Sequence, residues 1–181
     1  MGWQTFSIPS GSNLPSLLVG DRIAADIREP GVMPDRGDMV FFKYPHDTSV
    51  TYVKRLVGLP GDRIRIEHGQ LSINGQPVPR EAAGPFVSDD FGIRTSFQRY
   101  IEVLPTGRRY SILHATDSGE FENTPEYHVP PGTFFVLGDN RDNSVDSRMT
   151  MVGYVPLANL IGRGGTVYWS SDPGRRLSRI E

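Results

Sequence analysis

The chain has 181 residues, 37% hydrophobic and 22% charged, enough to bury a core as one domain or as one domain with a sizeable insertion. A formal net charge of -2 supplies no general basic field and no local basic patch stands out, which argues against nucleic acid as a partner. With no cysteine, thiol catalysis, thiolate metal sites and disulfides are excluded by inventory, while the compartment stays open.

The first residues, MGWQTFSI, place Trp3, Phe6 and Ile8 at a terminus, where a free end is ordinarily polar. Trp3 and Phe6 are expected in an exposed apolar patch of the kind that marks membrane or partner contact. No stretch approaches the ~18 apolar residues that span a bilayer, and none reads as a secretory leader. The segment IPSGSNLPSLLVGD, Ile8 to Asp21, packs two serines around Gly11 between prolines, with one short helical turn near Leu14 to Val19. Beyond it, Gly and Pro, 20 and 15 in number, punctuate short runs rich in Val, Ile, Tyr and Phe, a strand-forming pattern. Strands are predicted at DRIAADI, GDMVFFKY, TYVKRLVG, DRIRIEHGQLSING, RRYSILHA, GTFFVLGD, GYVPLANLIGR and GTVYWSS. In EHGQLSINGQPV the HG and NG pairs are turn formers between alternating residues, a compact hairpin signal. After Pro79 the text grows more polar and less patterned, and Ile66 to His128 is expected to be an inserted β-rich subdomain. Residues 1–65 and 129–181 then form the core. A second short helical piece is expected near Pro156 to Leu160.

Three segments can carry chemistry. The motifs of phosphate loops, dinucleotide folds, zinc proteases and nucleophile elbows are absent. The histidines His46, His68, His114 and His128 stand beside turn residues and read as surface or turn histidines, none set to orient a Ser-His-Asp triad. In TYVKRLVGLPGD, alternation puts Tyr52, Lys54 and Leu56 on one face and Thr51, Val53, Arg55 and Val57 on the other. Lys54 therefore keeps apolar company. It either snorkels to water or, if buried, loses the hydration of its ammonium form and becomes a general base near neutrality. GDNRDNSVDSR crowds Asp139, Arg141, Asp142, Asp146 and Arg148 together; it is either a solvated loop or an internally hydrogen-bonded one beside a site, in which Ser144 can orient a lysine.

In this order, PSGSNLPSL, RGDMVFFKYP with YVKRLVGLPGD, and GDNRDNSVDSR with GYVP resemble the segments of bacterial type I signal peptidases, and the tail VYWSSDPGRRLSRI is also similar. The family patterns are P-S-G-S-M-x-P-T-L, R-G-D-I-V-V-F with Y-I-K-R-V-I-G-L-P-G-D, and G-D-N-R-D-N-S-x-D-S-R. The resemblance implies a mainly β fold: an antiparallel β-sheet catalytic core of the signal peptidase type with a small β-rich inserted subdomain and little helix. It implies a serine endopeptidase that removes N-terminal signal peptides from exported preproteins after small residues, in A-x-A-like sites. Ser12 matches the nucleophile and Lys54 the base. Ser10 matches the serine whose hydroxyl joins the Ser12 N–H in an oxyanion hole. Ser144 matches the serine that hydrogen-bonds the lysine, and Asp146 and Arg148 a structural ion pair. Phe6, Ile8, Pro9, Leu17, Tyr52 and Val53 match the walls of the substrate pockets. No cofactor and no metal are implied; the partners are preproteins and the membrane surface.

The chain departs from the pattern at Asn13, where the family commonly has methionine, and in a short connection IREPGVMPD. Family members carry a transmembrane anchor before the nucleophile segment, in the inner (cytoplasmic) membrane, with the catalytic part on the periplasmic or extracellular side. A start barely a dozen residues before Ser12 is therefore read as a soluble form lacking that anchor. Two other readings share the residues: a specialised or self-cleaving Ser/Lys peptidase of the pilin-processing or SOS-repressor type, and a non-catalytic β-rich binding module.

Overall fold

The computed structural model describes residues 2–90, 93–115, 119 and 121–180. Short strands dominate, as the punctuation by Gly and Pro predicts: β1 (Trp3–Ser7), β2 (Arg22–Asp26), β3 (Met39–Tyr44), β4 (Asp47–Gly58), β5 (Arg63–Glu67), β6 (Gln70–Ile73), β7 (Gln76–Pro77), β8 (Arg80–Asp90), β9 (Ile93–Val103), β10 (Arg109–His114), β11 (Tyr127–His128), β12 (Thr133–Leu137), β13 (Val155–Pro156), β14 (Leu160–Trp169) and β15 (Ser178–Arg179). Among the described residues, helix is confined to two 3-10 turns, Leu157–Asn159 and Pro173–Arg175. The turn expected near Leu14 to Val19 closes through Leu17 N–H to Asn13 C=O at 2.9 Å but does not continue as helix.

The large sheet runs in the order β1-β2-β14-β3-β4-β12-β13, with β15 on β14, and its pairs are antiparallel. Its central strands are apolar at successive positions because both faces are covered. Val40 and Phe42 of β3 pack with Leu56, Phe134 and Val136 on one face, while Met39 and Phe41 pack with Ile8, Leu17 and Ile23 on the other. On that second face, Val57, Phe135 and Leu137 join a further core under β5, β6 and β10, built from Ile64, Ile66, Leu71, Ile73 and Ile112.

Two smaller sheets come from the middle of the chain, β11-β5-β6-β7 and β10-β9-β8. In β5 the arginines and Glu67 are exposed while Ile64 and Ile66 are buried, the strict alternation of a half-covered strand. The β5–β6 and β6–β7 turns are His68-Gly69, φ 49° and 71°, and Asn74-Gly75, φ 54° and 78°. Both pairs have the positive φ that a tight two-residue hairpin requires, so the hairpin signal in EHGQLSINGQPV is realised twice. The long β8–β9 hairpin is mostly exposed, so it lacks an apolar alternation by which to be read; one cross-strand pair, Phe86 and Phe97, lies against Leu14 and Leu113. The strands β1, β8, β9, β11 and β15 lie outside the predicted runs for the same reason: short or solvated strands leave little pattern. Among the described residues, no helix is long and apolar enough to cross a membrane.

Candidate active site

The segment Ile8 to Asp21 is a closed loop. Ile8 N–H donates to Asp21 C=O at 2.9 Å and Gly20 N–H to Ile8 C=O at 2.8 Å, while Leu14 and Leu17 are buried as anchors. At its tip sits Ser12. Asn140 grips this tip from the 138–148 segment: its N–H reaches Ser12 C=O at 3.1 Å and its Nδ2 reaches Gly11 C=O at 3.0 Å. From the other side, Asn13 Nδ2 donates to Val53 C=O at 2.8 Å, tying the loop to β4 one residue before Lys54.

Lys54 is 5% exposed, and its Nζ lies 2.6 Å from Ser12 Oγ. Burial pushes its amine down to about 8; Asp146 and Asp139, acting through space, pull the other way, and Arg148 adds to the depression. Ser10 Oγ donates to Ser12 Oγ at 3.3 Å, so two polar groups converge on one oxygen. A hydroxyl against a depressed, partly neutral amine is an arrangement in which a serine can be activated without histidine.

Beneath Ser12 and Lys54 the 138–148 segment is charged and, apart from Asn143 and Val145, withdrawn from solvent. Asp146 and Arg148 form a bidentate pair, 2.8 Å at both contacts, with side chains 0% and 2% exposed. Burial raises the Asp146 carboxyl, but Arg148, the Gly138 N–H at 3.0 Å and the neighbouring Ser144 together hold it below the usual carboxylate range. Ser144 is buried and borders the same cavity as Ser12 and Lys54; its Oγ makes no hydrogen bond to Lys54. Gly138 is required here: a Cβ would overlap the Ser144 side chain and stand 2.6 Å from Ser12 C=O.

Residues 1–169 match the family described as signal peptidase, peptidase S26. The chain belongs to this family. Signal peptidase I of Rickettsia typhi is 40% identical over 144 residues, covering 76% of this chain and 53% of that protein. Signal peptidase I of Rickettsia bellii is 30% identical over 205 residues, covering 94% of this chain and 70% of that protein. A solved signal peptidase I from Enterococcus faecalis V583 is 27% identical, covers 73% of this chain and 97% of its own, and overlays with a TM-score of 0.43. The chain spans about half the length of the Rickettsia typhi relative.

In this signal peptidase family member, a cavity of about 390 Å³ opens beside Ser12 and Lys54, between Ile8–Asn13 and Val50–Lys54. Ile8, Pro9, Tyr52 and Val53 line it. Leu17 and Phe6 do not: Leu17 is fully buried behind the loop, and Phe6 is half-buried, stacked on Phe41 at 4.6 Å. Phe6 therefore leaves the expected exposed patch, whereas Trp3 is 51% exposed. A larger cleft of about 1030 Å³, between β8–β10 and the C-terminal tail, contains neither Ser12 nor Lys54.

Sequence reasoning missed the groups that hold the loop. Arg55, 0% exposed, donates to both Asp139 oxygens at 2.8 and 2.7 Å, and Ser16 Oγ donates to the same carboxylate at 2.5 Å. Arg141 is bidentate to Glu102 at 2.8 and 2.7 Å, with the Tyr110 hydroxyl 2.6 Å from that carboxylate. An arginine on an apolar strand signals a buried partner, but the signal does not say which carboxylate. His114 also differs from its reading as a surface or turn residue: it ends β10 and is 6% exposed.

Proposed function

We propose that this chain is the catalytic part of a signal peptidase: a serine endopeptidase with a Ser12/Lys54 dyad that cuts N-terminal signal peptides from exported preproteins after small residues. The observation that carries the reading is the 2.6 Å contact between Ser12 Oγ and a 5%-exposed Lys54. With an amine titrating near 8, about one tenth of the chains hold a neutral Lys54 at pH 7. In that state Ser12 O–H donates to the Lys54 lone pair, loses its proton as it attacks the scissile carbonyl, and forms an acyl-enzyme. Lys54 returns the proton to the leaving amine and then activates the water that releases the acyl group. Ser10 Oγ and the Ser12 N–H serve the developing oxyanion.

The substrate lies extended along β4. Asp47 and Thr51 to Arg55 pair with β3 on one side, while β12 begins to pair only at Arg55, so an edge stands open beside Ser12. Ile8, Pro9, Tyr52 and Val53 form shallow apolar walls that admit alanine, with Asn13 as a polar element at their base. Phe6 and Leu17 support these walls from behind. Ser144 bounds the lysine, and the Asp146–Arg148 pair fixes the segment that carries it. In the same reading residues 66–128 are an insertion in a core of 1–65 and 129–181, and the site faces the outer surface of the inner membrane.

Preprotein processing tests the reading. Wild type is expected to yield mature protein, while Ser12→Ala and Lys54→Ala each lose about 10³-fold or more in kcat/KM. Activity retained in either variant overturns the dyad.

A further inference from the structure

His114, Glu122 and Asp142 converge on the side of the 138–148 segment that faces β10. The His114 ring turns Nδ1 toward Glu122 Oε1 at 3.6 Å and Asp142 Oδ2 at 3.7 Å, with the three side chains 8%, 14% and 14% exposed. One ligand atom from each residue lies within 4.8 Å of the other two. These separations are too long for hydrogen bonds. The other ring nitrogen, Nε2, is buried and has no hydrogen-bond partner among the described residues, so the ring is not held from that side.

Arg141, the nearest guanidinium on the segment, is bidentate to Glu102, and Arg80 donates to the Gly69 and His68 carbonyls. Asp142 Oδ2 accepts from Ala115 N–H at 2.7 Å, which fixes the carboxylate's orientation as an outer hydrogen bond does for a metal ligand.

We propose that His114 Nδ1 and one oxygen each of Glu122 and Asp142 bind a divalent transition-metal ion of the zinc type, with water in the remaining position. Ligands about 2.0–2.2 Å from a tetrahedral zinc stand ~3.3 Å apart, so the two nitrogen–oxygen separations need to close by about 0.3–0.4 Å and the two carboxylate oxygens, within 4.8 Å of each other, by up to about 1.5 Å. An imidazole with two carboxylates favours zinc, manganese or cobalt over calcium or magnesium, which take oxygen alone. The ion ties Glu122, in the connection after β10, to Asp142, in the segment that grips Ser12. It is a cross-link beside the site and takes no part in the dyad chemistry.

Metal-stripped chain titrated with Zn²⁺ by calorimetry is expected to bind one ion, with Ca²⁺ giving no comparable heat. His114→Ala and Asp142→Asn are each expected to weaken binding by about 100-fold, and His128→Ala, which removes an exposed histidine beside Glu126, to leave it unchanged. Because a buried histidine is replaced, the wild type is also read alone by NMR, where Zn²⁺ should shift the His114 ring resonances and leave those of His46, His68 and His128 in place. No one-to-one binding at about 1 mM Zn²⁺, affinity lost in His128→Ala, or shifts confined to the other histidines would overturn the site.

Discussion

On one face of β4, Lys54 is buried at 5% exposure and its amine is pushed down to about 8; on the opposite face, Arg55 is buried completely and stays charged. Burial works against both cations. Arg55 meets Asp139 through two hydrogen bonds, and it also meets Gly37 C=O at 2.7 Å and the Tyr110 ring at 4.1 Å. Lys54 meets a hydroxyl instead, because the carboxylate that could neutralise it, Asp146, is already engaged by Arg148. Adjacent residues on one strand thus become a fixed structural charge and a titratable base, and the difference lies in where the carboxylates are aimed.

The contrast can be broken most severely by giving Lys54 the character of its neighbour. Lys54→Arg keeps a cation but cannot lose its proton near neutrality, so processing should fall about 10³-fold or more at every pH from 6 to 9, as measured by initial rates on a preprotein. Wild-type rate should instead climb with pH through about 8. Removing the partner on the other face comes next: Asp139→Asn strands Arg55 without a counter-charge and should cost about 3–5 kcal/mol of stability in urea unfolding.

Lys54→Met tests the cost of the depressed amine. Its pKa is about 8 folded against 10.5 for the free side chain, so across that window the unfolded chain binds more protons and wild-type stability rises with pH. Below about pH 8 the cost is fully present, and by pH 10.5 it has largely gone. The variant should therefore gain about 3 kcal/mol more over wild type at pH 7 than at pH 10.5, by paired unfolding curves. The smallest change is Asn13→Ala, which removes the 2.8 Å tie to Val53 C=O while leaving both reacting groups in place. It should lower kcat by about 10-fold with little change in KM, and cost about 1 kcal/mol of stability.

Much of this was legible in the chain itself. Alternation marked β5 and β6, the HG and NG pairs marked their turns, and apolar neighbours put Lys54 on a strand without deciding whether it is buried or reaches water. Asn13 stood out as a departure, but its amide's reach to Val53 did not, because nothing local sets the distance between residues 40 apart. His114 was read from its neighbours as a surface or turn residue, and only the convergence of β10 with two later carboxylates makes it a buried group.

The amino-acid sequence alone determined the strand grammar, the exclusion of thiol chemistry and the inventory of serine, lysine and carboxylate from which a site could be made. Tertiary structure decided which members meet: Ser12 with Lys54 across 42 residues, and Arg55 with Asp139 across 84. The reason is physical. A period of two reports whether a strand's own face is covered, whereas Asp139, Asp142 and Asp146 have the same chemistry within one short run. Only the packed backbone aims one at Arg55, one toward His114 and one at Arg148.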